Sequence, residues 1–379
     1  MLHAPPPGEL IVTVIVRRPL VVLAAALVLG VSAGCGSRSS TVTLGAAGPW
    51  SEAFGLMNKR GMELAVDEIN ARRLLEGQTL RLLDRNDEGD GAKAATIAQE
   101  FVDNPDVLAV VGHVTSGAMV AAAKVYDGHL AAVATSATSP DLSGISPWAF
   151  RVISSDSTNG LDLARFVGTL GRRRAAILYE NDAYGRGLIE SFRRNFDGQV
   201  VSVDPISAQT SDFEPYVAYY KRVKPDVVFV AGTEVTGIAF LREARRQALD
   251  AMYVGGDGWT GIVADTAASE GSYVGAPFTA LDPRPEARRF VTAYTRKFGA
   301  APDGNAALGY DATMVLARAI AQAGPDRKRI RDYLASLDAE SAYPGVTGPI
   351  RFLENGDPVG KSLVMTRVHL GSLLVEKSR

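Results

Sequence analysis

The chain has 379 residues, 46% apolar and 22% charged, with 40 Lys and Arg against 42 Asp and Glu, and a single cysteine. At about 100–200 residues per domain this length suggests two or three domains, and the apolar fraction excludes disorder and a disulfide-stapled miniature fold. Balanced charge gives no bulk reason to bind nucleic acid, and one cysteine excludes an intramolecular disulfide, a cysteine zinc cluster and a CxxC redox pair.

The first element is a leader. Arg17-Arg18, an apolar run from Leu20 to Val31 and the small residues Ser32-Ala33-Gly34 have the pattern of a secretory signal, and the run is shorter than the about 20 residues needed to span a membrane. Residues 1–34 are expected to be removed as a signal peptide. Cys35 follows at once and resembles the acylated first residue of a bacterial lipoprotein, although Ser32 stands where that pattern prefers leucine; the alternative is an unmodified cysteine after an ordinary signal. Pro5-Pro6-Pro7 and Ile11-Val12-Thr13-Val14-Ile15 fit such a signal poorly, so translation is expected to start near Val14 or Val16. Residues 35–40 are small and polar, the composition of a tether.

From Thr41 onward, short β-branched runs alternate with segments of helical period. Strands are predicted at Thr41–Leu44, Leu80–Leu83, Leu108–Val111, Ala131–Val133, Ala175–Tyr179, Val200–Val203, Val227–Val230 and Met252–Val254. Met62, Ala65, Val66 and Ile69 recur at helical spacing between them, as do Leu163, Phe166, Val167 and Leu170. This alternation predicts an α/β fold with parallel sheets covered on both faces. The series restarts near Ser154–Gly160, which predicts two doubly wound lobes. Helices are then expected at Pro285–Phe298, Asn305–Ala323 and Arg327–Leu337, followed by strands Gly348–Phe352 and Val364–Val368 around an Asn355-Gly356 turn. Chain crossings near Ser154, Thr279 and Pro349 assign 41–153 and 280–349 to an N-terminal lobe, and 154–279 and 350–379 to a C-terminal lobe.

Enzyme chemistry finds no foothold in this pattern. The four histidines are scattered without metal spacing, no phosphate-gripping loop occurs, and Ser116 lies outside any GxSxG elbow. A Ser116–His113 pair is conceivable but poorly placed on adjacent strand and loop positions. The run Asp84 to Gly89 imitates a calcium loop, but Ala95 stands where the closing glutamate belongs.

Three segments have ligand-binding chemistry. Val110 to Gly117 runs from a strand into a helix near Ser116, which offers N–H groups and the hydroxyls of Thr115 and Ser116 to a carboxylate; a plain helix cap is the alternative. Ala134-Thr135-Ser136-Ala137-Thr138-Ser139-Pro140 is dense in hydroxyls that suit a zwitterion, or simply a turn. Gly255-Gly256-Asp257-Gly258 sets an acid among glycines at a strand end, where a buried carboxylate needs a positive partner. An ammonium on the ligand would supply it, and so would a structural arginine.

Motifs along the whole chain resemble, in order, the bacterial leucine/isoleucine/valine-binding protein family, the type I periplasmic solute receptors of ABC importers. They are Gly48-Pro49, the run from Gly61 to Ala71 (GMELAVDEINA), Val111-Gly112-His113, Ala137-Thr138-Ser139-Pro140, Phe150-Arg151, Tyr184-Gly185, Gly256-Asp257-Gly258, Gly309-Tyr310-Asp311-Ala312 and Gly348 to Phe352. The resemblance implies a type I periplasmic-binding-protein fold, two lobes joined by a three-crossover hinge with the ligand in the cleft. It implies that Ser116 and Thr138, with neighbours Thr115 and Ala137, bind an α-carboxylate. It implies that Ser136 offers its carbonyl and Asp257 its carboxylate to the ammonium, and that Tyr184 closes from the second lobe. Phe54 takes a frequent tyrosine position after an insertion that brings in Trp50-Ser51, and Thr233 or Glu234 stands near another expected aromatic. Trp50, Phe54 and Trp259 line the side-chain pocket or pack at the rim.

The function implied is the binding subunit of an amino-acid importer, branched-chain acids foremost, exported and held by lipid outside the cytoplasmic membrane or in the periplasm. It is expected to be a monomer that uses no cofactor or metal and works with membrane permease subunits. A signalling receptor of the same fold and a binder of amides or aromatic acids are the alternatives.

Overall fold

A computed structural model describes residues 41–376, together with 1–4, 7, 8 and 13. Cys35 and most of the expected signal peptide lie outside the described residues. The architecture below belongs to one compact unit, Ser40–Arg379.

The first sheet contains β1 (Thr41–Gly48), β2 (Thr79–Asn86), β3 (Val107–Gly112), β4 (Ala132–Ala134) and β5 (Ala149–Arg151), all parallel in the order β2-β1-β3-β4-β5. Helices α1 (Ala53–Ala71), α2 (Gly91–Asp103) and α3 (Ser116–Tyr126) make its crossovers. The predicted strands of this lobe are present and mostly longer than the apolar runs that announce them. Strand β5 escapes notice because it has three residues and no alternation.

The second sheet follows α4 (Asp156–Thr169). It is built from β6 (Arg174–Glu180), α5 (Ala183–Asn195), β7 (Gln199–Ile206), α6 (Glu214–Val223), β8 (Val227–Ala231), α7 (Glu234–Arg246), β9 (Met252–Gly255), the single turn α8 (Thr266–Ser269) and β10 (Tyr273–Ala276). Its order is β14-β13-β10-β9-β8-β6-β7, where β13 (Val364–His369) and β14 (Ser372–Val375) join antiparallel at the β10 edge. Each sheet has a separate apolar cluster on either face, as buried parallel strands require.

The late helices α9 (Pro285–Phe298), α10 (Gly304–Ala323) and α11 (Arg327–Ala335) return to the first lobe, where Phe290, Tyr294, Leu316 and Ile330 join the core under β1 and β3. Helices α1 and α10 cross closely because glycines face backbone on both sides. A Cβ on Gly61 would overlap the Ala306 carbonyl, and one on Gly309 would overlap the Asn58 carbonyl. Gly309→Val therefore forces the helices apart and lowers unfolding free energy by about 3 kcal/mol. A lower urea midpoint at unchanged m value is the expected result, and an unaltered midpoint would refute the close-packing account.

The last crossing differs from expectation. The short hairpin β11 (Tyr343–Gly345) and β12 (Gly348–Ile350) pairs with itself, so the segments 348–352 and 364–368 are not partners across a turn. Phe352 packs against Phe150 in a tilted ring pair, centroids 4.9 Å apart. The Asn355-Gly356 turn is fastened to the first lobe, with Gly144 N–H donating to Asn355 O at 2.9 Å and Arg151 N–H to Gly356 O at 3.1 Å. Leu363 is the first later residue in a second-lobe core. The chain thus crosses between Pro358 and Leu363 instead of near Pro349, since Phe352 finds its apolar surroundings beside β5.

Candidate functional site

In both sheets the segments with unusual chemistry leave the C-terminal ends of parallel strands. The orders β2-β1-β3 and β7-β6-β8 each reverse direction at a switch point, which opens a crevice between neighbouring connections. The first-lobe connections follow β1, β3 and β4; those of the second lobe follow β6, β8 and β9.

The β3 connection is set by Gly112, whose φ of 107° suits glycine and whose missing Cβ leaves room for the Ala47 carbonyl. His113 then turns inward, Nδ1 at 2.6 Å from Asp87 Oδ2 and Nε2 at 3.0 Å from the Tyr126 hydroxyl. This arrangement takes His113 away from Ser116, so no nucleophile and base assemble here. Thr115 caps α3 through its backbone without using its side chain, and its buried hydroxyl has no partner. Ser116 Oγ accepts two hydrogen bonds, from the N–H groups of Thr138 and Ser139, both at 3.1 Å. Its own proton remains to donate.

The β4 connection has a core side and a cleft side. Ala137 packs into the first-lobe core, whereas Thr135 and Thr138 are fully buried with unpartnered hydroxyls. Ser136 Oγ receives the Asn58 amide at 2.9 Å and donates to Asn305 Oδ1 at 2.9 Å. Asn305 continues to Thr260 Oγ1 in the second lobe at 3.2 Å. This polar chain ties α1, the β4 turn and α10 to the opposite lobe.

On the second-lobe side, Tyr184 follows the Asp182 cap of α5; its hydroxyl donates to Asp257 Oδ1 at 3.1 Å and accepts from Gly258 N–H at 3.1 Å. Asp257 is buried, and burial pushes its carboxyl up to about 6 despite the Tyr184 hydroxyl. Asp156, the first residue of α4, is entirely buried and donates its N–H to Thr138 O at 2.9 Å. Burial and then the Asp257 charge hold its carboxyl well above the ordinary range. The Thr138 hydroxyl is near enough to oppose that shift, although it reaches no partner at hydrogen-bond geometry.

The structure thus gathers Ser116, Thr138, Tyr184 and Asp257 around Asp156. Trp50 lies beside Gly48 and Val114 with its Nε1 buried and unpartnered. Phe54, on the first turn of α1, is partly exposed and has no ring contact among the described residues. Trp259 is core, its ring lying over Gly237 and Gly255, whose absent Cβ atoms make the space.

Both acids carry raised pKa values, so their protonation binds more protons in the folded than the unfolded protein. Their contribution to ligand-free stability is full below pH 4 and is lost as pH rises through about 6, where Asp257 ionises. A compound with an ammonium group needs Asp257 ionised, so its affinity moves the opposite way and falls between pH 7 and pH 5. Urea midpoints and calorimetric titrations across this window test both signs.

A periplasmic binding protein model matches residues 41–371. The chain belongs to the periplasmic binding protein family. It is 28% identical over 335 residues to the amino acid binding protein of Pseudomonas aeruginosa, covering 84% of this chain and 88% of that one. It is 26% identical over 351 residues to the leucine-, isoleucine-, valine-, threonine- and alanine-binding protein of the same organism, covering 88% and 92%. The branched-chain amino acid transporter substrate-binding protein of Streptococcus pneumoniae, solved with isoleucine, superimposes with a TM-score of 0.82 at 28% identity over 89% of this chain and all of that one. This type I periplasmic-binding-protein fold is the one implied by the ordered motifs.

Asp156, Asn58 and Asn305 lie among these residues of the periplasmic binding protein without having been singled out by residue pattern. Asn58 left a trace, a polar residue on the apolar face of α1. Asp156 left only its place just after Phe150-Arg151, where the lobe pattern restarts.

Proposed function

We propose that this chain is the amino-acid-binding subunit of an ABC importer, exported and delivering its ligand to membrane permease subunits. The observation that carries this is the buried meeting of an anion-binding edge, Ser116 and the first turn of α3, with a cation-binding pair, Asp156 and Asp257. An α-amino acid brings one carboxylate and one ammonium in that arrangement. Its carboxylate would take the Ser116 proton and the α3 N–H groups, which have no intrahelical acceptor. The Thr138 hydroxyl would join Ser116 on the carboxylate, and the ammonium would lie between the Ser136 carbonyl and Asp257, forming charge-assisted bonds in a water-poor cleft.

Such a ligand touches both lobes, and its differential contacts favour the closed state. Residues 41–153 and 280–361 would move as one jaw and 154–279 with 362–376 as the other, a binding cycle with no chemical step. Lipid on Cys35 would hold a monomer near its permease. The relatives named for leucine, isoleucine and valine make these amino acids the first ligands to try.

A thermal-shift screen of the purified protein against amino acids, simple amides and aromatic acids tests the function, since a ligand bound only by the folded state raises Tm. An α-amino acid is expected to give the largest shift. A response confined to acids without an ammonium would overturn the proposal.

A further inference from the structure

A third acid of the cleft stands apart from the Asp156 and Asp257 pair. Glu234 opens α7 at the end of β8, beside the switch point of the second sheet. It is 8% exposed, and among the described residues its carboxylate meets no hydrogen-bond donor and no cation. It rests against Gly261, where a Cβ would overlap its Oε2, in the segment that also carries Asp257. Two further acids, Asp303 and Glu52, are close enough to act on its carboxyl. Asp303 caps α10 through Ala306 N–H at 2.8 Å, and Asn305 in the same first turn reaches Thr260 of the second lobe. Glu234 therefore sits on the seam between the lobes.

Two buried polar groups of the first lobe also lack partners, Trp50 Nε1 and the Thr115 hydroxyl. Two cations of the first lobe are committed elsewhere, Lys59 to Asp84 at 2.6 Å and Arg151 to Asp357 at 2.7 Å. A carboxylate taken out of water needs a cation or a full set of donors. A simple amino acid supplies one ammonium, which the Asp156 and Asp257 pair uses.

We propose that Glu234 forms a second cation subsite, so that the preferred ligands are amino acids whose side chain ends in an ammonium or guanidinium group. This inference rests on the amino-acid reading above and adds the chemistry of the side chain. Lysine, ornithine and arginine are the class that fits. Burial pushes the Glu234 carboxyl up to about 7 in the free protein, and a bound cation would pull it down again.

Lysine and norleucine form a matched pair, since they share the α-amino acid frame and the four-carbon chain and differ at the ε-ammonium. Calorimetric titration of the wild-type protein is expected to show lysine binding at least tenfold more tightly than norleucine or leucine. In Glu234→Leu the order should reverse, with melting temperature and circular dichroism as the folding control. If that variant does not fold, the wild-type comparison alone decides. Norleucine or leucine binding as tightly as lysine to the wild type overturns the subsite and leaves the amino-acid function standing. No response to any α-amino acid overturns the function itself.

Discussion

Asp257→Ala weakens amino-acid binding by about 2–5 kcal/mol, roughly thirty-fold to several-thousand-fold, because it removes a buried partner of the ligand ammonium. The ligand-free protein should not lose stability to match. Burial and the Asp257 charge make Asp156 costly to ionise, and deleting Asp257 removes that charge from beside it. Against this gain stand the Tyr184 hydroxyl, which loses one acceptor at 3.1 Å, and the backbone N–H groups of Asp257 and Gly258, which also favour the carboxylate. Calorimetry for binding and thermal melts of the ligand-free variant separate the two effects. Unchanged affinity would remove Asp257 from the site, and a large fall in ligand-free melting temperature would make its role structural.

Arg151→Met destabilises the fold by about 3–5 kcal/mol, the cost of leaving a buried charge partner alone. The guanidinium is 2% exposed and reaches three segments at once. Its Nε donates to Asp357 Oδ1 at 2.7 Å, one terminal nitrogen to Ser139 O at 2.8 Å, and the other to Ser143 Oγ at 2.7 Å. Loss of this group frees the 355–357 turn from β5 and loosens the 138–139 turn held by Ser116. Ligand affinity should therefore fall along with stability, although Arg151 touches no ligand-facing group. In the Arg151→Met, Asp357→Leu double variant, part of the lost stability returns, since neither charge is then buried alone. Denaturant melts of the single and double variants measure this coupling; strict additivity would show that the pair has no joint role.

The elements that were legible in the sequence are those whose neighbours lie along the chain. Apolar periodicity marked α1, α9 and nearly all of α10, since Met62, Ala65 and Ile69 or Phe290 and Tyr294 face one core from one helix. The runs at Val107–Gly112 and Val227–Ala231 are almost wholly apolar because both faces of those strands are covered. Very short strands such as β4 and β5, or β10 with its glycine, have too few residues to show a period. Glycines in the ordered motifs were visible as letters only; their use at Gly61 and Gly309 is a helix contact between distant segments.

The α/β class, the two-lobed order of motifs and the segments 112–117, 134–140 and 255–258 that could hold a ligand are legible in residue order alone. Hydroxyls, glycines and acids at strand ends are local features, and local composition is enough to show them. Only the folded chain shows that Asp156 faces Asp257, that Asn58, Ser136 and Asn305 form one chain, that Trp259 is core, and that the last crossing waits until after Pro358. It also left Glu234 buried on the seam with acids for neighbours. Each of these depends on which buried polar or aromatic group meets which other across segments far apart in the chain, and periodicity records only that a residue is buried, never what it is buried against.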